Sequence, residues 1–217
     1  MDGEYAVYLI GDCGSVSDRL LSELALRLSR DDRARAERFL RREPKLMFVM
    51  SRRLLEYALE AGFGIKDAEI STAPGGKPFV AAKNVYFSIS HSADRCICAV
   101  ARREVGADIQ KRVRPSERLI ERVCSPAEAE LLGTAEDPAA AFTDMWALKE
   151  SYVKLTGEGL SRGLASVDTA DLPARGELRR FEDMHMAVSL FARTGEKGGV
   201  GVMDEERIIT VAAEKLL

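Results

Sequence analysis

The sequence predicts an α+β fold of two similar halves, each a small, mainly antiparallel sheet packed with helices. Three observations carry that expectation. A charged stretch with apolar residues at helical spacing runs from Ser17 to about Gly62, and strand-like runs follow between Val85 and Ile109. A second helical region, Arg118–Thr156, is followed by strand-like runs at Met186–Arg193 and Arg207–Ala213. The two helix-then-sheet blocks meet near Arg102–Gly106, dividing the chain into residues 1–104 and 105–217, although no sequence repeat relates them.

Taken in order, Ala6–Ile10 (AVYLI) is short and wholly apolar, as a buried strand would be. Leu20, Leu21, Leu24 and Leu28 then recur at helical spacing, and Phe48–Leu59 continues the apolar stripe until Gly62 and Gly64 end it. Pro74-Gly75-Gly76-Lys77-Pro78 is a turn cluster, because adjacent glycines and prolines favour special backbone angles. Val85–Ser90 (VYFSIS) and Cys96–Ala101 (CICAVA) have the β-branched and aromatic content of strands, with His91-Ser92-Ala93-Asp94 as the hairpin turn. Val105–Ile109 is a third strand. Helices are expected at Arg118–Val123, Pro126–Leu132 and Ala139–Thr156.

Composition narrows the class. A chain of 217 residues with 46% hydrophobic content can bury a core without metal or disulfide staples, which also argues against disorder. Net charge of −3 excludes a global polycation and leaves only a local basic patch for a polyanion. No run approaches the ~18 apolar residues of a membrane span. The start, Met1-Asp2-Gly3-Glu4, carries acids where a signal peptide carries bases, so a cytoplasmic location is expected. Cys13, Cys96, Cys98 and Cys124 form no C-x-x-C pair and read as free thiols of a reducing compartment.

Four groups of residues could carry chemistry. Trp146, Glu150 and Lys154 lie four residues apart and share one helix face. A Glu/Lys pair at that spacing is ordinarily surface support, but a tryptophan on the same stripe points to a partly buried face where charges need partners. Asp108 and Gln110 point to the same side of a strand, and a carboxylate beside an amide oxygen suits a hard cation such as Mg²⁺; the plain alternative is a solvated sheet edge. Ser90, His91 and Ser92 offer hydroxyls, an imidazole and backbone N–H groups that could cradle phosphate oxygens, or could be ordinary turn residues. Basic residues between Arg30 and Arg53, interleaved with Asp31, Asp32, Glu37 and Glu43, read as a solvated face whose residual excess could bind a phosphorylated ligand with help from Lys77. Few aromatics interleave with them, against nucleic-acid binding.

Gly159-Leu160-Ser161-Arg162-Gly163 matches the hydrolase pattern G-x-S-x-G, but a helix precedes it and no helical run follows, so a serine hydrolase is rejected. No Walker loop or dinucleotide glycine fingerprint is present.

In order, the segments GKP (Gly76–Pro78), FSISHS (Phe87–Ser92), GADIQ (Gly106–Gln110) and WALKESYVKLTGEGL (Trp146–Leu160) resemble the 4′-phosphopantetheinyl transferases of the larger, surfactin-synthetase-activating type. The resemblance runs from about Arg38 to Gly163. It implies a pseudo-dimeric α+β fold around one coenzyme A site. The 1–104 half would supply phosphate contacts and the 105–217 half the metal site and Lys-Glu helix. It also implies a Mg²⁺-dependent (or Mn²⁺-dependent) transfer of phosphopantetheine from coenzyme A to a serine of an acyl or peptidyl carrier protein, by a monomer acting without nucleic acid or membrane.

Residue by residue, Asp108 and Glu150 match the acidic metal ligands, with Glu150 also the base, and Lys154 matches the lysine at the pyrophosphate. Lys149, Ser90, His91 and Lys77 match phosphate contacts, and Arg42, Lys45 and Arg52 fall where the 3′-phosphate is gripped. The carrier would dock around Leu160–Leu164 and the basic face near Arg38–Arg53. Two departures stand out: Met47 replaces an arginine, and Gln110 replaces a common glutamate, which would weaken the metal site. Rival readings are a non-catalytic coenzyme A- or carrier-binding homologue, and a polyanion-binding protein using Arg30–Arg53.

Overall fold

The computed structural model describes residues 4–72, 77–80, 84–157, 163–172, 174–181, 183–191 and 198–217. Strand β1 (Tyr5–Ile10) leads into helices α1 (Asp18–Leu26), α2 (Arg30–Glu37) and the long α3 (Arg42–Phe63). Strands β2 (Ser71–Thr72), β3 (Pro78–Val80), β4 (Val85–Ser92), β5 (Arg95–Ala101) and β6 (Val105–Lys111) follow. Next come α4 (Glu117–Val123), α5 (Pro126–Thr134) and α6 (Pro138–Thr156), then β7 (Ala174–Phe181), β8 (Met184–Phe191), β9 (Gly199–Val202) and β10 (Ile208–Thr210). The expected turn residues 74–76 and most of the rejected G-x-S-x-G segment lie outside the described residues.

Two sheets form: β10-β1-β5-β4-β3-β2 and β6-β8-β7-β9. Pairing is antiparallel except where β10 joins β1 and β9 joins β7. The layers run helix, sheet, sheet, helix. On the outer face of the first sheet, Ala6, Tyr8, Ile10, Cys96, Cys98 and Val100 pack under α1 and α3. On its other face, Val7, Leu9, Ile97 and Ala99 meet Val105, Ala107, Ile109, Met186 and Val188 of the second sheet. The second sheet is covered in turn by α6, through Ala147, Leu148, Tyr152 and Ala187. Both faces of β1 are therefore buried, which is why its sequence is apolar without alternation.

Local chemistry sets the element ends. Ser17, Ser29, Ser116 and Ser125 cap helices by accepting backbone N–H bonds, and Ser125 with Glu128 completes a capping box. Gly64 and Gly157 end α3 and α6 in the left-handed conformation. All four cysteines are free thiols, as expected, and each of them is buried.

The structure also departs from expectation. His91 and Ser92 continue β4, and the hairpin turns at Ala93-Asp94, with Ala93 at φ 52°. Each half begins with a strand before its helices, so the order is strand–helices–strands. Strands β7 and β9 were not foreseen: ARGELRRF is too charged and GVGV too glycine-rich to read as strands, and pairing with β8 and β7 makes them so. The C-terminal strand runs only from Ile208 to Thr210 and returns to the first sheet beside β1.

One junction positions the site. The free edge of β6 faces β4, whose serines at every second position stitch it down. Ser88 Oγ accepts from Ala107 N at 2.9 Å, Ser92 Oγ accepts from Lys111 N at 2.9 Å, and between them Ser90 Oγ donates to Asp108 Oδ1 at 2.6 Å. Side-chain hydroxyls thus satisfy edge donors that a neighbouring strand would otherwise take.

Candidate active site

A cleft of about 1010 Å³ opens between α3, strands β3 and β4, and the C-terminal turns of α6. The side chains of β6 alternate: Val105, Ala107 and Ile109 enter the inter-sheet core, leaving Gly106, Asp108 and Gln110 toward α6. Gly106 lets the helix backbone at Ser151–Leu155 lie directly on the strand. That close approach brings Lys154 down onto Asp108.

At the floor, Asp108 is 1% exposed. Its Oδ1 accepts from Lys154 Nζ at 2.5 Å and Ser90 Oγ at 2.6 Å, while Oδ2 accepts from Gln110 Nε2 at 2.7 Å. Lys154 Nζ also donates to Ser90 Oγ at 2.9 Å. Glu150, one turn before Lys154, lines the cleft. Burial pushes its carboxyl pKa up, as does the Asp108 charge, against the opposing pull of Lys154 and of a hydrogen bond from Trp146. The shared face read from the spacing of Trp146, Glu150 and Lys154 is thus present, and it faces a buried carboxylate.

Two further expected residues border this floor. Lys77 donates to the Leu155 carbonyl at 2.8 Å, satisfying a terminal acceptor of α6, and burial lowers its pKa to about 8 against the pull of Glu104. His91 lines the cleft; burial and the Lys154 charge hold its imidazole below the ordinary histidine value, with Asp108 opposing.

Three expected phosphate ligands do not face the cleft as foreseen. Lys149 is fully buried behind it: its Nζ donates to Val123 O at 2.7 Å, to Leu164 O at 3.3 Å and to the Glu128 carboxylate. Glu128 in turn accepts from Ser125 N at 2.7 Å and from Thr169 N and Oγ1 at 2.9 and 2.8 Å. With three acceptors enclosing it, that ammonium has no donor left for a substrate phosphate, which corrects the expectation for Lys149. It ties α4, α5 and the segment after α6 to one buried charge pair instead. Arg42 is held by Asp18 at 2.6 Å and by the Val16 carbonyl, and Lys45 does not line the cleft.

Arg52 does line it, together with Arg35, which belongs to the basic run between Arg30 and Arg53 but not to the residues matched to the 3′-phosphate grip. Their guanidinium carbons lie 5.1 Å (Arg35) and 5.4 Å (Arg52) from the Phe48 ring centroid, and Arg52 pairs with Asp32 at 3.4 Å. Since Arg35 comes from α2 and Phe48 and Arg52 from α3, no local spacing could reveal the cluster. Met47, at the position where an arginine was expected, adds apolar surface beside it.

The donor set at the floor fits a hard divalent cation. Asp108 and Glu150 offer carboxylate oxygens, and Gln110, whose Nε2 donates to Asp108, would offer its amide oxygen once turned over. A cation between the carboxylates would relieve the Asp108 charge that raises the Glu150 pKa. Only two of the three are acids, and no cluster of three or more His, Cys, Asp or Glu suited to a metal occurs among the described residues.

A buried carboxylate faced by a lysine, at the floor of a cleft with arginines at its rim, is equipment for chemistry on a phosphorylated substrate. The 4′-phosphopantetheinyl transferase superfamily profile matches residues 104–211. The chain is 33% identical over 165 residues to the 4′-phosphopantetheinyl transferase HetI of Nostoc sp., covering 70% of this chain and 69% of the relative. It is 29% identical over 178 residues to a 4′-phosphopantetheinyl transferase of Bacillus subtilis, covering 80% and 74%. With psf-1, a 4′-phosphopantetheinyl transferase of Bacillus pumilus, identity is 33% over 156 residues, covering 69% and 66%. The chain belongs to the 4′-phosphopantetheinyl transferases and is of the Sfp-like type. No helix among the described residues is long and apolar enough to cross a membrane.

Proposed function

We propose that the protein transfers the 4′-phosphopantetheine group of coenzyme A to a serine hydroxyl of an apo acyl or peptidyl carrier protein, releasing adenosine 3′,5′-bisphosphate. The observation that carries this reading is the meeting of Glu150, Lys154 and buried Asp108 at one cleft floor. The serine oxygen attacks the β-phosphorus of the coenzyme A pyrophosphate, the bridging P–O bond breaks, and the serine proton passes to Glu150. A carboxyl with a raised pKa is the stronger base for that proton. Lys154 and Lys77 hold the pyrophosphate and offset charge on the departing nucleotide phosphate. His91 steadies the phosphate oxygens, Ser90, its one proton given to Asp108, holds Lys154 in place, and Arg35 and Arg52 supply positive charge for the nucleotide end. Asp108, Glu150 and Gln110 would hold a Mg²⁺ or Mn²⁺, which would supply Lewis-acid neutralisation of phosphate charge. One chain contributes both walls of the cleft, so a monomer is complete.

The test is intact-protein mass spectrometry of apo carriers of fatty-acid, polyketide and nonribosomal-peptide synthesis, incubated with the protein, coenzyme A and Mg²⁺. A gain of one phosphopantetheinyl mass, abolished by EDTA, is expected. No gain on any carrier class, with coenzyme A still bound, would reduce the protein to a binding homologue.

Gln110 brings an amide where a third carboxylate would bind the cation more tightly. Gln110→Glu is therefore expected to lower the Mg²⁺ needed for half-maximal activity by about tenfold; an unchanged Mg²⁺ titration would remove Gln110 from the ligand set.

Lys77 gives a pH dependence with a definite sign. Its charged form dominates below its pKa of about 8 and is lost above it. The KM for coenzyme A should accordingly rise from pH 7 to 9, and Lys77→Arg, which stays charged, should flatten that rise. A profile identical in both proteins would show that Lys77 does not hold phosphate.

A further inference from the structure

The α2–α3 turn carries a feature that the cleft chemistry leaves unused. Residues 27–45 hold eight basic and four acidic side chains, an excess of four cations in a chain whose net charge is −3. Several of these cations are already engaged: Arg33 binds the Leu26 carbonyl, Arg35 lies over Phe48, and Arg42 is held by Asp18. Arg38 and Arg41 are exposed and make no ion pair among the described residues. Between them in sequence stands Leu40, fully exposed at 101% of its reference area. On either side of Leu40, Phe39, Glu43 and Pro44 line the cleft wall, so the leucine and its two arginines crown the cleft rim.

A single exposed leucine needs no explanation by itself. Here it coincides with two unpaired guanidiniums and with the mouth of a cleft that a macromolecular substrate must reach. A small ligand bound within the cleft would not cover a side chain directed entirely to solvent. An apolar knob flanked by cations is the complement of an acidic protein surface with an apolar dimple: the knob supplies buried area, and the charges supply approach and register.

We propose that Leu40, Arg38 and Arg41 form a docking surface for the acidic face of the carrier protein whose serine enters the cleft. This rests on the function proposed above. Because the serine must reach Glu150, the acceptor has to be pressed against the rim, and this turn is the basic, apolar-tipped part of it. None of the three residues belongs to the proposed catalytic or coenzyme A-binding set.

The test compares wild type with Leu40→Glu and with the double variant Arg38→Glu/Arg41→Glu, using an acidic apo acyl carrier protein. KM for the carrier is expected to rise about tenfold or more in both variants, while KM for coenzyme A and kcat at saturating carrier stay unchanged. Raising NaCl from about 50 to about 500 mM should weaken the wild type and hardly affect the double variant. A carrier KM within about twofold of wild type, or a rise in the coenzyme A KM instead, overturns the docking assignment. Fluorescence anisotropy of the labelled apo carrier separates this inference from the reaction. Wild-type binding lost in both variants supports the surface even if no group is transferred, whereas equal binding by all three proteins, or none by wild type, overturns it. Salt-sensitive binding of an oligonucleotide in place of the carrier would also overturn it and identify a nucleic-acid surface.

Discussion

Glu150→Gln is expected to slow phosphopantetheinyl transfer by about 100-fold or more without lowering the melting temperature. The amide keeps the shape of the side chain and still accepts the hydrogen bond from Trp146, so packing in that part of α6 is preserved. It removes a negative charge that burial and the neighbouring Asp108 both disfavour in the folded state, so the fold loses nothing and gains a little. What disappears is chemistry, because an amide cannot take the serine proton and is a weaker oxygen donor to a divalent cation. Single-turnover mass spectrometry beside thermal melting measures the two effects separately. Wild-type turnover in a well-folded variant would show that Glu150 is neither base nor ligand.

Gly106→Ala should be the most damaging glycine-to-alanine change among the described residues. A Cβ at position 106 would collide with the Ser151 carbonyl and with the Leu155 backbone, neither of which can rotate away as a side-chain tip could. Helix α6 would have to lift from β6, uncovering the core under Leu148 and Tyr152 and withdrawing Lys154 from Asp108. Overpacking against flexible neighbours costs about 1–3 kcal/mol; against backbone the expected loss is about 4 kcal/mol or more. That would appear as poor soluble yield or a melting temperature lowered by ten degrees or so. Gly133 in α5 is the matched control: a Cβ there meets nothing within 4 Å, so Gly133→Ala should be neutral or slightly stabilising. Equal stability of the two variants would mean that α6 does not lie on β6 as described.

Strands β1, β4, β5 and β6 and helices α3 to α6 were legible in the sequence because each carries its own periodicity or its own caps. AVYLI reads as buried since both faces of β1 are covered. Helix α6 reads as a helix with Trp146, Glu150 and Lys154 on one face, and that face does turn toward the cleft. Strands β7 and β9 were illegible since their conformation comes from hydrogen bonds to neighbours and not from their residues. The same distinction divides the site. Asp108 and Gln110 on one side of a strand follow from the two-residue repeat, whereas the descent of Lys154 onto Asp108 depends on a missing side chain at Gly106.

Lys149 shows the limit most clearly. Adjacent to Glu150 in a charged motif, it looked like a phosphate ligand, but neighbouring residues on a helix point about 100° apart. That angle turns Glu150 to the cleft and Lys149 into the protein, where Glu128 receives it. Arg35 is the converse case, brought beside Arg52 and Phe48 only by the packing of α2 against α3. Sequence alone determined the α+β class, the family and the residue types the chemistry needs, because local spacing and ordered motifs encode those directly. Tertiary structure alone decided which cations face the cleft, which is buried in a structural pair and which crown the rim. Side-chain direction across separate elements depends on how those elements pack, and no local repeat records it.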